Sequence, residues 1–340
     1  MNKESSMLSQ HLSLAKLPAT NPISIDDFSL WGTHTLTLID HDYPGRTPAL
    51  WNALYKNFGI DAVMVMVVGN PSATKEIIAS FRKDVRYVGG GSGSGFKEIV
   101  LNELDDVTVL AKAIGAVNVI KRESDGRLIG DNTDGAGYAD SLDQVMRAQN
   151  RELKGSKVLI LGAGGTGRAI AFTLADRGAS LVILNRTKGK AFELSESVNM
   201  HFGRVVAVGG GRELIAEYLP SCDAVVSVID DAASPLEEYS TLGEMDLPVT
   251  SESREHNRLT TVALLKTALP SLVVSDIRLR NGETPMLSQA REHGFTVLDG
   301  VPMVVNQGVA AFWWLYGDML TVQGISRDDV SKLMWEVVQK

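Results

Sequence analysis

A chain of 340 residues is too long for one ordinary hydrophobic core, so two domains are expected. Hydrophobic and charged contents of 44% and 22% are those of a soluble globular protein, and a net charge of -8 argues against nucleic acid or a membrane surface as a general partner. Cys222, the single cysteine, rules out an intrachain disulfide and a cysteine-built zinc site, and the six histidines show no H-E-x-x-H or comparable spacing, so no metal is expected.

No apolar run reaches the length of a membrane span. Residues 1–30 lack the charged-then-apolar order of a signal peptide: polar residues interrupt Leu8, Leu12, Leu14 and Leu17, and Pro18 and Pro22 break the segment. It reads as a short amphipathic or disordered extension on a cytoplasmic protein. A strand follows over Phe28–Leu38, then a loop carrying Pro44, Gly45 and Pro48, and a helix over Ala49–Phe58. Asp61–Val68 is a strongly apolar strand. Pro71 and Ser72 open a helix through Arg82, with Ile77, Ile78 and Phe81 facing inward, and Val85–Val88 is the next strand. This alternation predicts a small α/β domain on a largely parallel sheet.

From Gly89 to Gly95 every residue is glycine or serine, a composition too flexible for the interior of an element. A mobile linker is one reading. The other is a binding loop, because the segment joins a strand to a helix beginning at Lys97. Asn118 lies in a strand-like GAVNVI, and Asp131, Asn132 and Asp134 cluster in a polar turn, GDNTDGAG, before a helix over Tyr138–Met146. Carboxylates in such a turn are commonly turn formers.

The most informative stretch is Lys157–Lys190. Val158–Leu161 forms a strand apolar on both faces, followed by Gly162, Gly164 and Gly167 in G-x-G-x-x-G spacing. A helix over Thr166–Arg177 and a strand over Leu181–Leu184 complete a βαβ unit, whose helix N-terminus suits the phosphates of a dinucleotide. After the second strand an NAD site usually places a carboxylate for the ribose hydroxyls. Here the sequence reads Asn185, Arg186, Thr187, Lys188 and, beyond, Lys190. Arg186 offers a planar fork for a 2′-phosphate, which favours NADP(H) over NAD(H).

Further strands are expected over Val205–Val208, Ala224–Ile229, Leu272–Asp276 and Phe295–Leu298, as a doubly wound sheet requires. Helices are expected over Ala191–Phe202, Arg212–Tyr218, Leu264–Ala268, Met286–His293, Met303–Tyr316 and Arg327–Val338. No element is placed within residues 230–260, which are polar and irregular. The Met303–Tyr316 helix is apolar nearly all round and reads as buried core or interface.

At GAVNVI, GDNTDGAGYADSL, VLILGAGGTGRAI, NRTKGKA, TPMLSQAREHG and DGVPMVVNQGVAAF, the chain resembles the shikimate and quinate dehydrogenase family, over residues 35–318 in all. The resemblance implies a Rossmann doubly wound NADP domain over residues 134–300. It also implies a smaller α/β substrate domain over residues 31–133, completed by C-terminal helices of residues 301–340 and preceded by the extension of residues 1–30. It implies reversible hydride transfer between NADP(H) and a ring alcohol or ketone of a cyclic hydroxy acid, with a homodimer as a candidate assembly. By motif position Lys97 and Asp134 resemble the catalytic pair, an ammonium to donate the proton and a carboxylate to orient it. Thr47, Ser92, Ser94, Asn118 and Gln307 are the candidate substrate contacts. Gly162, Gly164, Gly165, Thr166, Gly167, Asn185, Arg186, Thr187, Lys190, Gly300 and Met303 are the candidate cofactor contacts. Taken without the resemblance, Lys97 and Gln307 read as surface residues.

The departures are concentrated in the substrate shell. The family's serine pair becomes Gly45 and Thr47, and its N-V-T-x-P-H-K approach becomes Gly91, Ser92, Gly93, Ser94, Gly95, Phe96, Lys97. The tyrosine of a family YNP segment becomes Leu279, and an N-A-T segment becomes Ser227, Val228, Ile229, Asp230 and Asp231. Each lost hydrogen bond to a substrate hydroxyl costs roughly 1–3 kcal/mol, so the expected substrate is a different or larger carboxylated cyclitol, with Arg46 and Arg280 as candidate clamps. Two other readings stay open: a catalytically weak NADP(H)-binding protein with a sensing role, and a true shikimate or quinate dehydrogenase whose serine-glycine loop closes over substrate.

Overall fold

The computed structural model describes residues 10–17, 20–21, 30–229, 234–238, 250–279 and 282–339. These form two compact units, one from the described residues of Met1–Thr133 and Val305–Lys340, the other from those of Asp134–Val304. No helix among the described residues is long and apolar enough to cross a membrane.

The first unit contains β1 (Leu12–Leu14), β2 (His34–Ile39), α1 (Thr47–Phe58), β3 (Val63–Gly69), α2 (Thr74–Lys83), β4 (Tyr87–Gly91), β5 (Asp106–Val107), α3 (Val109–Ile114), β6 (Val119–Arg122) and β7 (Leu128–Asp131). They build one seven-stranded sheet in the order β1-β3-β2-β4-β6-β7-β5. The sheet is mixed, not largely parallel: β3, β2 and β4 run parallel, whereas β1 meets β3, and β6 meets both β4 and β7, antiparallel. The hairpin through Glu123–Arg127 reverses the chain and accounts for part of that difference.

Both faces of β2 are buried, which is why its pattern looked only roughly alternating. Leu36 and Leu38 join Ile77, Ile78 and Phe81 of α2 in one core. On the other face, Leu50, Trp51, Leu54 and Tyr55 of α1 pack with Val305, Val309 and Phe312 of the long helix Val301–Val322 and with Met334 of the last helix, Arg327–Val338. The apolar helix expected over Met303–Tyr316 is thus buried core. Polar groups in this layer are paired: the Tyr55 hydroxyl meets Thr35 Oγ1 at 2.8 Å and the Tyr316 hydroxyl at 3.1 Å. Burial pushes the Tyr316 phenol up to about 12.

Three expectations for this unit need correction. The segment read as an amphipathic or disordered extension supplies β1, which pairs Leu12 with Gly69 and Leu14 with Val67 and buries both leucines. A three-residue edge strand carries too little periodicity to stand out. The strand expected over Phe28–Leu38 begins at His34, residues 28–29 lying outside the described residues. The glycine run, read as too flexible for the interior of an element, begins inside one. Gly89–Gly91 is the second half of β4, hydrogen-bonded to β6. Glycine is required there because φ is +142° at Gly90, and a β-carbon would stand 2.1 Å from the Leu36 carbonyl oxygen.

The second unit contains α4 (Asp134–Ala148), β8 (Lys157–Leu161), α5 (Gly165–Asp176), β9 (Ser180–Leu184), α6 (Lys188–Phe202), β10 (Ala207–Gly210), β11 (Ala224–Ser227), β12 (Val273–Asp276) and β13 (Thr296–Leu298). Its six strands are all parallel, in the order β10-β9-β8-β11-β12-β13. The chain winds away from β8 in both directions, the doubly wound arrangement with its switch point at β8. Leu159, Leu161, Val182, Val225 and Val274 fill one core against Met286, Leu287 and Ala290. A short helix over Pro235–Glu238 lies within the stretch where no element was expected, and a longer one, Ser251–Leu265, begins there and ends where a helix had been expected over Leu264–Ala268. The longer helix was hidden because its first half, SESREHN, has almost no apolar residue to show a period.

Two outcomes follow for the first unit. Gly90→Ala should lower stability by roughly 2–4 kcal/mol, read by urea unfolding, since the backbone of β2 leaves no room for a methyl group. The second concerns His34, 1% exposed, whose Nδ1 bonds the Gly32 carbonyl at 2.9 Å. Burial holds its imidazole below the ordinary 6.5, outweighing the Gly32 bond and Asp84, 3.8 Å away. A folded value below the unfolded one gives stability that is present above pH 6.5 and lost as pH falls. Unfolding free energy should therefore drop between pH 7.5 and 5.5, and by less in His34→Gln.

Candidate active site

β8 ends at Leu161 and the chain turns through Gly162, whose φ of +113° and hydrogen bond to the Leu184 carbonyl at 2.8 Å set the turn. A β-carbon at Gly167 would stand 2.3 Å from the Gly162 carbonyl oxygen, so only glycine lets α5 seat against the strand. Gly164 caps α5 without a side-chain bond to its first amides, and a β-carbon there would meet nothing within 4 Å. Gly165 and Thr166 begin the helix. The result is an open loop leading into uncapped amides, the geometry that receives a phosphate.

Asn185, at the end of β9, ties this loop to the next. Its Oδ1 accepts from the Ala163 amide at 3.2 Å and its Nδ2 donates to the Thr187 carbonyl at 3.0 Å. Arg186, Thr187 and Lys190 are exposed beside it. The helix expected from Ala191 starts at Lys188, so Lys188 and Lys190 occupy its first turn, where the helix dipole disfavours cations. Lys188 is offset by Glu213 at 2.9 Å. Basic side chains gathered at a helix N-terminus beside a phosphate-type loop suit an additional anion. The donors and the open glycine turn fit a phosphorylated dinucleotide. Gly300 and Met303 lie beyond β13, with Gly300 so close to Ile277 that a β-carbon would be 2.1 Å from its carbonyl oxygen. Val228, named above only as a departure from the family, has a methyl group that would lie 2.7 Å from a β-carbon at Gly162 and so packs against the turn.

In the first unit the structure brings Asn118 and Gln307 together. The Asn118 Oδ1 accepts from the Thr133 amide at 2.8 Å, and its Nδ2 donates to Thr133 Oγ1 at 3.1 Å and to Gln307 Oε1 at 3.4 Å. Thr133 Oγ1 donates to the Gln307 carbonyl at 3.1 Å. Thr133, 4% exposed, was not singled out beforehand; its place between Asn132 and Asp134 in NTDG was the available signal. Lys97 is tied to the same place, since its carbonyl accepts from the Val117 amide at 2.8 Å. Lys97 does not begin a helix. It sits in a run of turns after Gly95, anchored by the fully buried Phe96, and the next helical turn covers only Val100–Asn102.

The remaining candidates are more scattered. Ser92 is buried, bridges in parallel with Leu38 and shares that residue's core face, with its Oγ unpartnered among the described residues. Ser94 is exposed and hydrogen-bonds Asp40, and its carbonyl accepts from the Asp40 amide at 3.1 Å. Thr47 stands half-buried in the first turn of α1, after the exposed Arg46. Leu279 is exposed; Arg280, Asp230 and Asp231 lie outside the described residues. Asp134, 9% exposed, opens α4 in the second unit. The next residue, Gly135, lies so close to α5 that a β-carbon would be 2.3 Å from the Ala169 carbonyl oxygen. Asp134 is therefore fixed relative to the glycine turn.

Family models described as a shikimate dehydrogenase substrate binding domain and as a shikimate / quinate 5-dehydrogenase match residues 44–120 and 144–240. The shikimate dehydrogenase (NADP(+)) of Methanothermobacter thermautotrophicus is 32% identical over 282 residues, 82% of this chain and 90% of its own. This chain belongs to the shikimate dehydrogenase family. The crystal structure of the Aquifex aeolicus shikimate dehydrogenase superposes with a TM-score of 0.67 at 27% identity, covering 91% of this chain and 98% of that one. A 5-ketofructose reductase from a Gluconobacter strain is as similar, with a TM-score of 0.68 and 25% identity over 91% and 99% of the two chains.

Asn118→Ala would leave the buried Thr133 amide without its acceptor. It should cost about 1–3 kcal/mol of stability in denaturant unfolding, whatever the substrate.

Proposed function

We propose that this protein is an NADP-dependent oxidoreductase that interconverts a ring hydroxyl and a ketone on a shikimate- or quinate-like cyclic hydroxy acid. The reading is carried by Lys97, which is held by its own carbonyl to the segment bearing the Asn118–Thr133–Gln307 network. That shared backbone with two carboxamides able to bind hydroxyl groups supports a proton-transfer role for the Lys97 ammonium. Bound NADP(H) supplies or accepts the hydride. Lys97 protonates the oxygen as the ketone is reduced and removes that proton in the reverse direction, and Asp134 is the carboxylate that the family resemblance assigns to the same proton transfer. Asn185 shapes the glycine turn, and Arg186 with Lys190 receives the 2′-phosphate.

The substrate differs from shikimate itself. Glycine at 45, 91 and 93 removes side chains that the family uses around its ring, whereas the network of Asn118 and Gln307 remains. The neighbour named a 5-ketofructose reductase supports the idea that this fold accommodates other polyhydroxylated ketones. Arg46, exposed before α1, is the candidate clamp for a carboxylate.

A panel of cyclic hydroxy acids and their ketones, assayed separately with NADP(H) and NAD(H), tests the reading. Tight NADPH binding without turnover of any member would favour a sensing protein. Lys97→Ala should lower kcat by at least about a hundredfold while NADPH affinity stays within about twofold. Arg186→Ala should weaken NADPH by roughly 10–100-fold and leave NADH nearly unchanged, the charge-assisted phosphate bonds being lost. Equal affinities for the two cofactors in the unaltered protein would remove the role given to Arg186.

A further inference from the structure

The segment after β9 carries three cations, Arg186, Lys188 and Lys190, and a carboxylate from beyond the neighbouring strand reaches into it. Lys188 Nζ donates to Glu213 Oε1 at 2.9 Å. Glu213 lies in the helical turn Arg212–Leu214, just after β10. The two loops run side by side because β9 and β10 pair to their last residues, Leu184 with Gly210. Beyond them the Asn185 amide bonds the Gly210 carbonyl at 3.1 Å. The Asn185 side chain reaches Ala163 in the glycine turn and Thr187 ahead of Lys188. The carboxylate is thereby brought to the edge of the loop assigned above to the 2′-phosphate.

Gly211 makes this approach possible. A β-carbon there would stand 2.5 Å from Glu213 Oε2 and 2.7 Å from Lys188 Cε, so both side chains lie directly over its backbone. Partial burial opposes ionisation of the Glu213 carboxyl, but Lys188 and the amides of Glu213 and Gly211 outweigh it and hold the group below the ordinary 4.5. A carboxylate in that place works against a phosphate ester in two ways: it repels the ester and it occupies an ammonium that could bind it. The pair is nevertheless loosely held, since Lys188 and Glu213 are 47% and 46% exposed. A phosphate monoester carries close to two charges and attracts an ammonium more strongly than one carboxylate does. Lys188 also stands in the first turn of α6, where a nearby anion relieves the unfavourable helix dipole.

We propose that Lys188 is a third cation for the 2′-phosphate and that Glu213 is the specificity-determining residue that withholds it. Lys188 leaves Glu213 for the phosphate when NADP(H) is bound and stays paired when NAD(H) is bound. Glu213 thereby narrows the preference between the two cofactors. This rests on the NADP(H) reading above and refines it.

The test is calorimetric titration of the unaltered protein, Glu213→Gln, Lys188→Ala and Arg186→Ala with NADPH, NADH and adenosine 2′,5′-bisphosphate, at low and high ionic strength. Glu213→Gln should tighten NADPH and the bisphosphate about fivefold and leave NADH within about twofold. Lys188→Ala should weaken the same two ligands about fivefold, again sparing NADH. Both changes should shrink at high ionic strength, because the groups are exposed. Equal changes for NADPH and NADH, or failure of either variant to move NADPH in its stated direction, overturn this inference alone if Arg186→Ala still weakens NADPH. If Arg186→Ala also leaves NADPH unchanged, the assignment of this loop to the 2′-phosphate falls with it.

Discussion

The carboxamide of Asn118 joins segments that the sequence keeps far apart. One side chain accepts the Thr133 amide and reaches Gln307, 189 positions along the chain, while its backbone pairs with Ser92 and Asp131. Thr133 closes the first long segment of its unit and Gln307 lies in the second, so this group holds the point of exit beside the point of return. A buried amide that satisfies several partners at once cannot be exchanged for an apolar residue without stranding all of them. The position of Lys97 follows from the same anchor through Val117.

Legibility in the sequence followed burial and period. The second unit could be read strand by strand because parallel strands covered on both faces appear as unbroken apolar runs, as in Val158–Leu161. Its glycine turn was legible because each glycine answers a separate geometric demand. The helix Ser251–Leu265 was not, since a polar surface helix carries no apolar stripe in its first half. The glycine-serine run misled for another reason. Composition measures the freedom of an isolated chain, whereas Gly89–Gly91 is fixed by ladders on both sides and needs glycine to fit between them. Asn118 and Gln307 were singled out by resemblance; Thr133, which bonds both, was not, because its part in that network depends on which backbone lies opposite.

Family membership and substrate are separate questions here. The fold and the dinucleotide turn are those of shikimate dehydrogenases, and a fold of this kind also carries a protein named for a ketosugar. What distinguishes this chain is the absence of side chains at 91 and 93, where Thr37 and Ile39 of β2 stand so close that a β-carbon would lie under 3 Å from each. A fold of this kind hosts different chemistries through changes in the side chains that line its site.

The strand at Leu12–Leu14 has a consequence for handling the protein. It covers the outer side of Val63–Gly69, a VMVMVVG run whose amides and carbonyls would otherwise face solvent. Apolar, uncharged and free of proline, that ribbon has the makings of an intermolecular sheet. A chain shortened past Leu14 would therefore expose an edge prone to self-association, and would loosen the loop around Tyr43 at the same stroke.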